Sequence, residues 1–513
     1  MMQFDSPRKP DLAAKRRKKV KAPRDNKSSG FDEVLQADID ALLRRHKPDT
    51  EVQTEPETDD AATPPQPTLP ETFTELEVQV ADISSTGDGL ALSENQKHVY
   101  VVPFTVPGDK ALVKIVRHFP DLSYSLTDFV KVLEPGSTRN DAGIGCQYFG
   151  KCSGCQLQMM SYEDQLAHKK RIVEKAYANF SGLIPELIPA IGDTFPSPMQ
   201  YGYRTKLTPH FAAPAGAKRR GPREPHKEVP PIGFTYKNRR MDLDIEDCPL
   251  GTEIVRKGLK SERQRVADNL ARYTKGATLL MRESTTRTPK PQDGSTPQSP
   301  AASTNPTRNT YIEEKRCVTD NNATSIEYVD DYLFSNRAGA FFQNNNSILP
   351  GFTEFIRQHA LPPTNASDPK PIKFLLDAYS GSGLFTITLS PLFRSSLGVD
   401  VAADSIMSAR ENARDNNLPN TGFAAADAAT LFKDGCSDDF LQQLLSYGPR
   451  RVVYVSCNVH TQARDVAVMV QGDEKKNIRY EIESIRGFDF FPQTGHVEGV
   501  AILNKATFPE KAA

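Results

Sequence analysis

From about Ala338 onward, short apolar segments alternate with segments of helical periodicity, and this alternation restricts the fold more than any other feature. The apolar segments include residues 373–379, 395–401 and 450–458, and each leads into a segment with helical spacing. Strands that alternate with helices are typical of a parallel sheet covered on both faces. The pattern therefore predicts a doubly wound α/β domain over residues 336–513.

A glycine-rich turn follows the first of these strands. Gly381 and Gly383 let the backbone approach a ligand, and the helix that follows offers free N–H groups. Asp400 ends the next strand, at about the 20-residue offset where a carboxylate accepts hydrogen bonds from ribose hydroxyls. Asp427 ends a further apolar segment and is a candidate neighbour of an adenine, with a helix N-cap as the alternative. The turn predicts a site for a nucleoside-containing cofactor.

A thiol and a carboxylate are the candidate reactive groups. Cys457 follows a strand at its carboxyl end, the edge where open α/β sheets bind ligands, and polar residues follow it. A nucleophile is therefore favoured over a buried packing cysteine. A thiolate at such a position can add covalently to a substrate and split one difficult step into two easier ones. Glu498, just before the final apolar strand, is the candidate acceptor of a proton, with an exposed strand-end glutamate as the alternative.

Four cysteines form a candidate metal site. Cys146, Cys152 and Cys155 are clustered in the sequence, and Cys248, in an Asp-Cys-Pro-Leu sequence, is a candidate distant fourth ligand. Four thiolates hold either an iron–sulfur cluster or zinc. The lack of histidine and the Cys-Pro sequence favour iron–sulfur, whereas the spacing alone leaves zinc open.

Residues 73–138 carry short β-type segments separated by turn signals such as Gly-Asp-Gly and Pro-Gly-Asp. This pattern predicts a small five-stranded, OB-like barrel. Such barrels often bind RNA on one face, although a barrel used only for packing is the alternative.

Other segments are predicted to be disordered. Residues 1–72 lack hydrophobic periodicity and combine a basic block at 15–21 with a Pro/Thr/Glu-rich stretch. The block is a nuclear-import signal, an RNA-binding arm or a solvating tail. Segments 213–231 and 284–310 are rich in Pro, Ser, Thr and basic residues, and we interpret them as insertions in a central domain, residues 139–335.

The overall charge is balanced, since the sequence contains 64 Lys and Arg residues and 65 Asp and Glu residues. No global field draws the chain onto nucleic acid, and any basic surface is local. No segment approaches the roughly 18 apolar residues of a membrane span, and the N-terminus lacks the apolar core of a signal peptide. We expect an intracellular monomer without a membrane partner, with nuclear, cytoplasmic and mitochondrial locations left open.

The chain resembles the tRNA (uracil-5-)-methyltransferases, specifically their fungal branch, from about Glu75 to Leu503. The sequences that carry the resemblance are CQYFGKCSGCQLQMMSYEDQLAHKK, IEDCPLG, RAGAFFQNNNSILP, VVYVSCNVHTQARDV and GFDFFPQTGHVEGVAIL. It implies an N-terminal TRAM barrel, a central domain whose four cysteines hold a [4Fe-4S] cluster, and a Rossmann-like methyltransferase domain. The implied partner is the T-arm of tRNA, and the implied product is ribothymidine in the T-loop.

The resemblance also implies roles for individual residues. Gln343, Tyr379 and Asp400 would contact S-adenosylmethionine. Cys457 would be the nucleophile and Glu498 the proton acceptor.

A further segment resembles the Tyr-Arg-x-Lys strand of this family. It lies in the central domain, and its basic side chains suit phosphate contacts. We therefore expect RNA contacts from Tyr203, Arg204 and Lys206.

The sequence departs from the family pattern at one point. The family places a strand ending in Asp-Pro-Pro-Arg between the Asp427 element and the helix before the cysteine strand, and residues 428–450 lack that motif. They are too few for the helix, strand and helix that the pattern requires. The missing strand would be central and buried on both faces. A gene-model error or exon loss is the simplest hypothesis for its absence.

Two other functions are alternatives to the methyltransferase. The first is an RNA-binding or tRNA-folding protein that keeps the barrel and the cysteine domain but has lost turnover. The second is a nuclease in nucleic-acid repair, for which the sequence shows no metal-binding carboxylate cluster.

Overall fold

A computed structural model describes residues 30–46, 69–214, 224–290, 311–363, 371–427 and 440–509. The basic block at 15–21 and the parts of the two expected insertions at 215–223 and 291–310 lie outside these residues. Among the helices described, none combines the length and apolar character that crossing a membrane requires.

The secondary structure alternates between strand-rich and helix-rich regions. The helices are α1 (Gly30–Arg45), α2 (Tyr162–Phe180), α3 (Glu253–Asp268), α4 (Leu349–His359), α5 (Leu384–Thr388), α6 (Ala403–Asp415), α7 (Phe440–Tyr447) and α8 (Val459–Gln471). The strands are β1 (Glu75–Ile83), β2 (Gly89–Leu92), β3 (Val99–Val102), β4 (Lys110–Phe119), β5 (Tyr124–Glu134), β6 (Gly192–Phe195), β7 (Lys206–Leu207), β8 (His210–Phe211), β9 (Gly233–Thr235), β10 (Asp242–Asp244), β11 (Ala277–Thr278), β12 (Met281–Pro289), β13 (Tyr311–Val318), β14 (Thr324–Val329), β15 (Tyr332–Arg337), β16 (Phe374–Ala378), β17 (Ser395–Asp400), β18 (Thr421–Ala425), β19 (Arg451–Ser456), β20 (Arg479–Phe488) and β21 (Glu498–Ala506).

The strands β1 to β5 close into a barrel in the order β1, β2, β3, β5, β4, which confirms the predicted OB-like barrel. Burial alternates along β4, where Ala111, Val113 and Ile115 point into the barrel core. Arg139 follows the barrel and donates a hydrogen bond to the buried Asp109 carboxylate at 2.8 Å. This ion pair ties the start of the central domain to the barrel.

Helix α1 packs on the outside of the barrel, so the prediction of disorder for residues 1–72 is wrong for residues 30–45. Leu35, Ile39 and Leu42 recur at helical spacing and are buried against Val99 and Val101. The apolar stripe is narrow, and packing on the barrel stabilises it more than its own helix propensity does. This is why the segment looks structureless in isolation.

Polar contacts join α1 to the rest of the molecule. The buried Asp38 carboxylate accepts a hydrogen bond from Ser85 N in the barrel at 2.5 Å and lies 3.2 Å from Lys175 Nζ of α2. Glu33 lies 2.5 Å from the guanidinium of Arg464 on α8. Helix α1 therefore contacts the barrel, the central domain and the C-terminal domain.

The central domain contains small sheets in the orders β10-β9-β8-β11, β13-β12-β7 and β14-β15. Strand β12 includes residues 284–289 and pairs with β13 along its length, so the expectation of a disordered insertion is wrong there. Its Ser, Thr and Arg residues do not alternate with apolar ones, so the sequence does not indicate a strand. Pairing with β13, which is distant in the chain, specifies the strand instead. Ser284 is buried and accepts a hydrogen bond from Ile326 N at 3.0 Å.

The C-terminal domain has the predicted α/β pattern, but its sheet is split in two. Strands β16, β17 and β18 form a parallel sheet, and β19 belongs to a second sheet in the order β19, β21, β20, β6. Within the residues that the structure describes, β16 pairs only with β17, and β19 pairs only with β21. The split falls where the sequence lacks the Asp-Pro-Pro-Arg strand.

The strands at the split are unusually exposed for the centre of such a sheet. Phe374 of β16 is 65% exposed, and every residue of β19 is half-buried. Strand β21, which is paired on both edges, is buried over its first six residues. Central strands of a doubly wound sheet are normally buried on both faces, so the exposure marks the position of the missing strand.

Helices α2 and α8 pack together over the second sheet. Val173 and Tyr177 of α2 contact the cluster that contains Val459 and Val466 of α8 and Leu503 of β21. Because α8 begins two residues after Cys457, this core fixes the direction from which the cysteine is presented.

Candidate active site

The turn after β16 contains three residues in the left-handed region. Tyr379, Gly381 and Gly383 have φ values of 63°, 54° and 91°. Glycine adopts such values without steric cost, and a Cβ at Gly383 would lie 3.0 Å from the Phe423 ring. Tyr379 adopts its value at a cost that is typical of ligand-binding turns. The turn is therefore held in one conformation, close to the sheet.

Two carboxylates fix this turn. Asp400 accepts hydrogen bonds from Gly381 N at 2.9 Å and from Ala402 N at 2.8 Å. Each of its oxygens keeps a second lone pair, so it can still accept from ribose hydroxyls, as the sequence predicts. Asp377 accepts from Thr386 N at 2.9 Å and from Thr386 Oγ1 at 2.6 Å, and burial raises its pKa to about 6.

The other predicted cofactor residues lie beside the turn. Tyr379 is 61% exposed and meets the Phe440 ring edge to face at 5.5 Å. Burial raises the pKa of its phenol, and the nearby Asp427 carboxylate adds to this effect. Gln343 lies on the loop between β15 and α4, where its neighbour Phe342 joins the core under the turn. The structure brings Tyr379 and Asp427 together, and for Gln343 it shows only that its neighbour Phe342 belongs to this core.

Cys457 occupies the turn between β19 and α8. The side chain of Asn458 caps α8, accepting from His460 N and Thr461 N at 3.1 Å each. Ser456 Oγ donates to Asn458 O at 3.0 Å and stiffens the same turn. The cysteine itself is exposed, so it is not a packing residue. Its thiol is presented at the carboxyl end of β19, where the nucleophile is expected.

Glu498 begins β21, beside Cys457. The antiparallel register pairs Ser456 with Gly499, so Cys457 and Glu498 occupy the next opposite positions. Glu498 is only 7% exposed, which contradicts the alternative of an exposed strand-end glutamate. Burial raises its pKa to about 7, and burial together with the Glu498 charge raises the pKa of the Cys457 thiol. A carboxylate that titrates near neutrality is suited to accept a proton.

Gln462 fixes α8 to the strands that carry these two groups. Its Nε2 donates to Tyr454 O at 2.8 Å and to Gly499 O at 3.0 Å, and its Oε1 accepts from Tyr177 OH at 3.3 Å. A Cβ at Gly499 would lie 2.6 Å from this oxygen. Sequence reasoning missed Gln462, although its place four residues after Asn458 put it on the same helix face.

The cofactor turn lies near β19 and α8, the two elements that flank Cys457. Tyr454 of β19 donates a hydrogen bond to Asp465 at 2.6 Å. The charge of Asp465 also contributes to the raised pKa of Tyr379, after burial and Asp427. The carboxyl ends of β16 and β19 are therefore close in space.

The four candidate metal ligands converge on one cavity of about 80 Å³, lined by Cys146, Cys152, Cys155 and Cys248. Burial raises the pKa of all four thiols, that of Cys152 to about 11. Within the described residues, no group of three or more His, Cys, Asp or Glu is arranged to hold a metal ion. The predicted iron–sulfur cluster is therefore not shown.

Arg204 lines the same cavity. Its Nε is buried and has no hydrogen-bond partner, a state that costs about 1–3 kcal/mol. Its guanidinium also lies over the Phe491 ring, 5.8 Å from the centroid. A sulfur-only set of ligands beside an unpaired N–H donor fits an anionic occupant such as an iron–sulfur cluster.

The remaining predicted RNA contacts have different surroundings. Tyr203 is 2% exposed and donates a hydrogen bond to Pro492 O at 3.1 Å, so the prediction that it contacts RNA is wrong. Its neighbours in the chain suggested a basic RNA-binding strand, but the strand begins only at Lys206, and the Tyr203 side chain points inward to Pro492. Lys206 is half-buried and donates to Gly339 O at 3.0 Å and to Ala340 O at 3.1 Å.

Comparisons with known proteins identify close relatives. No family model matches the chain. It is 42% identical over 453 residues to a protein of Schizosaccharomyces pombe named tRNA (uracil(54)-C(5))-methyltransferase, covering 85% of this chain and 79% of the relative. A Saccharomyces cerevisiae protein of the same name is 40% identical over 483 residues, covering 83% and 73%.

One solved structure has the same fold. It is the Pyrococcus abyssi tRNA (uracil-54, C5)-methyltransferase in complex with S-adenosyl-L-homocysteine. The TM-score is 0.55 at 20% identity, and the match covers 83% of this chain and 100% of that one.

Proposed function

The chain belongs to the family of tRNA (uracil(54)-C(5))-methyltransferases, and from this premise we propose that it transfers a methyl group from S-adenosylmethionine to C5 of uridine 54 in the T-arm of tRNA. The observation that carries the proposal is the placement of Cys457 and Glu498 at opposite positions of neighbouring strands. The glycine-rich turn lies at the same edge, close enough for Asp465 to act on both halves.

The reaction follows from the chemistry of these groups. Cys457 loses its thiol proton to water and its sulfur adds to C6 of the uracil; the electron pair that develops at C5 then takes the methyl group, whose former S–CH3 bond breaks and leaves its electrons on the donor sulfur. S-adenosylmethionine, when bound, supplies that group in electrophilic form. Glu498 then accepts the C5 proton, and the C6–S bond breaks with its electron pair returning to sulfur. Asp400, Tyr379 and Gln343 would hold the cofactor.

The test measures transfer of labelled methyl groups to transcribed tRNA. We expect incorporation into wild-type tRNA and none into tRNA with cytidine at position 54. Cys457→Ala removes the nucleophile and should reduce the rate by roughly 10³-fold or more.

A matched control is Cys317→Ala, because Cys317 lies in β13, in the central domain. It should keep the wild-type rate. Methyl transfer that survives Cys457→Ala, or that ignores the base at position 54, would contradict the proposal.

The split sheet favours a second candidate function, an RNA-binding or tRNA-folding protein without turnover. Among the described residues the barrel is closed, whereas the sheet at the cofactor site is split. Tight tRNA binding without methyl transfer, and without retention of S-adenosylmethionine in equilibrium dialysis, selects this function.

The cysteine cavity is proposed to hold a [4Fe-4S] cluster through Cys146, Cys152, Cys155 and Cys248. The unpaired Nε of Arg204 and the four cysteines in the lining support this proposal. When bound, the cluster would crosslink the central domain and supply no step of methyl transfer. Anaerobic reconstitution should give a broad absorbance near 400 nm, as is typical of thiolate–iron charge transfer, and Cys248→Ala should abolish it.

RNA contacts are proposed for the barrel and for the basic side chains of Arg204 and Lys206. Contacts to phosphates make binding dependent on salt. Lys206→Ala should therefore weaken tRNA binding and flatten its salt dependence.

A further inference from the structure

The segment Asp489 to Val497 links the end of β20 to Glu498, and its backbone is held at consecutive positions by different parts of the protein. Asn345 Nδ2 donates to Phe490 O at 3.1 Å. Lys169 Nζ donates to Phe491 O at 3.0 Å. Four consecutive carbonyls, those of residues 490–493, each accept at least one such hydrogen bond.

The other two carbonyls complete this pattern. Tyr203 OH donates to Pro492 O at 3.1 Å. Gln493 O accepts from Gln156 N at 3.0 Å and from Leu157 N at 3.1 Å, in the loop directly after Cys155. A loop carbonyl usually faces water, so four in a row held by protein donors indicate a segment held in one conformation.

Side chains anchor both halves of the segment. The Asp489 carboxylate is buried, forms an ion pair with Lys169 and accepts from Tyr162 OH at 3.0 Å. Gln493 has a left-handed φ of 73° and exchanges hydrogen bonds with Gln165 at 3.0 and 3.1 Å. A non-glycine residue keeps such a φ only where its surroundings impose it.

The chain between the anchored Gln493 and the proton acceptor Glu498 is short, so the anchoring also restricts where Glu498 can lie. After Gln493, four residues remain before Glu498, and Val497 is buried. Gly495 lies against the barrel, since a Cβ there would be 3.4 Å from Gly87 N. Glu498 therefore has little freedom to move without breaking contacts on one side or the other.

We propose that Tyr203 is a positioning residue for Glu498, acting through its hydrogen bond to Pro492 O. This inference rests on the proposed function. Tyr203 OH reaches the segment at its middle carbonyls, between the donors from α2 and from the cysteine loop. Loss of this one bond leaves Pro492 O buried without a strong donor, and the segment then relaxes toward water.

The test compares two variants with the same chemical change in the full-length protein. Tyr203→Phe removes the hydroxyl from Pro492 O. Tyr480→Phe is the matched control, because Tyr480 is fully buried and its OH donates to another proline carbonyl, Pro449 O, at 2.7 Å. Either variant keeps the aromatic ring and its packing.

The readout separates methyl transfer from proton loss in a single turnover. With tRNA that carries tritium at C5, Tyr203→Phe should slow tritium release roughly tenfold while methyl transfer to the base changes little. The covalent protein–tRNA adduct should accumulate, because the base that resolves it is misplaced. Tyr480→Phe should behave as wild type.

Hydrogen exchange of the free protein gives a readout that does not depend on activity. Amides of residues 489–499 should exchange faster in Tyr203→Phe than in the wild type or in Tyr480→Phe. Unchanged exchange, or tritium release that slows in both variants, overturns the inference. If the wild type methylates no tRNA, the proposed function fails while the exchange result still decides whether Tyr203 holds the segment.

Discussion

At the scale of single residues, Cys457 and Glu498 could be found from the sequence because each lies at the end of a recognisable strand. Their pairing across β19 and β21 could not, because antiparallel register depends on contacts distant in the chain. Tyr203 was placed in a strand that in fact begins only at Lys206, and it was assigned the wrong role. Its burial follows from packing against the segment before Glu498, which no local pattern shows.

The burial of Glu498 has a consequence for stability. Its pKa is about 7 in the folded protein against an ordinary value of 4.5. The folded state therefore holds the proton more tightly, and stability falls as pH rises from about 4.5 to 7, by about 3 kcal/mol in total. Glu498→Gln should be more stable than wild type by a margin that grows between pH 5 and pH 8.

Urea unfolding at the two pH values measures this margin. Glu94→Gln is the control, because Glu94 is exposed. This variant should have nearly the same free energy of unfolding as the wild type at both pH 5 and pH 8. A margin for Glu498→Gln that is the same at pH 5 and pH 8 would show that the carboxyl is not held in its neutral form.

At the scale of elements, the barrel strands and the helices α6 and α8 could be predicted because their periodicity is local. Helix α1 was missed although Leu35, Ile39 and Leu42 recur at helical spacing; its apolar stripe is narrow and depends on packing against the barrel. Strand β12 was missed because pairing with β13 specifies a sequence rich in Ser and Thr.

The docking of α1 can be tested at its centre. Ile39 is fully buried against the barrel, and Ile39→Ala should destabilise the docked helix by about 2–5 kcal/mol. We expect proteolytic cleavage within residues 30–46 to accelerate while the barrel stays folded. Arg44→Ala changes an exposed residue of the same helix and should leave cleavage unchanged.

The edges at the split sheet predict a pattern of amide exchange. Among the described residues, β16 and β19 are paired on one edge, whereas β17 and β21 are paired on both. Amides that point to the open edges should exchange much faster than those of β17 and β21. Uniform protection across all four strands would mean that the open edges are covered in solution.

At the scale of the whole molecule, the sequence predicts three folded regions in order, and the structure contains the barrel, the central domain and the α/β domain. The sequence could not predict which residues form the contacts between these domains. Asp38, Lys175 and the segment before Glu498 join regions distant in the chain, and such contacts have no local signature.

Restoring the missing strand tests its importance. The sequence runs from Lys433 directly into Asp434 where the Asp-Pro-Pro-Arg motif is missing. We expect that inserting a strand that ends in Asp-Pro-Pro-Arg between these two residues raises the free energy of unfolding of the α/β domain and increases methyl transfer. An insertion of equal length rich in Gly and Ser should do neither. Transcript sequencing addresses the origin of the gap, because a coding segment between these two codons would mark a gene-model error.

The open edges of β16 and β19 also bear on how this protein behaves in a crowded solution. An unpaired strand edge with apolar side chains is a template for a strand of another molecule, and natural sheets usually protect such edges with charges or prolines. Residues 374–376 and 452–455 contain neither, and the charges within these two strands are Asp377 and Arg451, near the strand ends. Self-association through these strands, rather than global unfolding, is therefore the expected first event under mild heating, and it sets a concentration limit on the soluble protein.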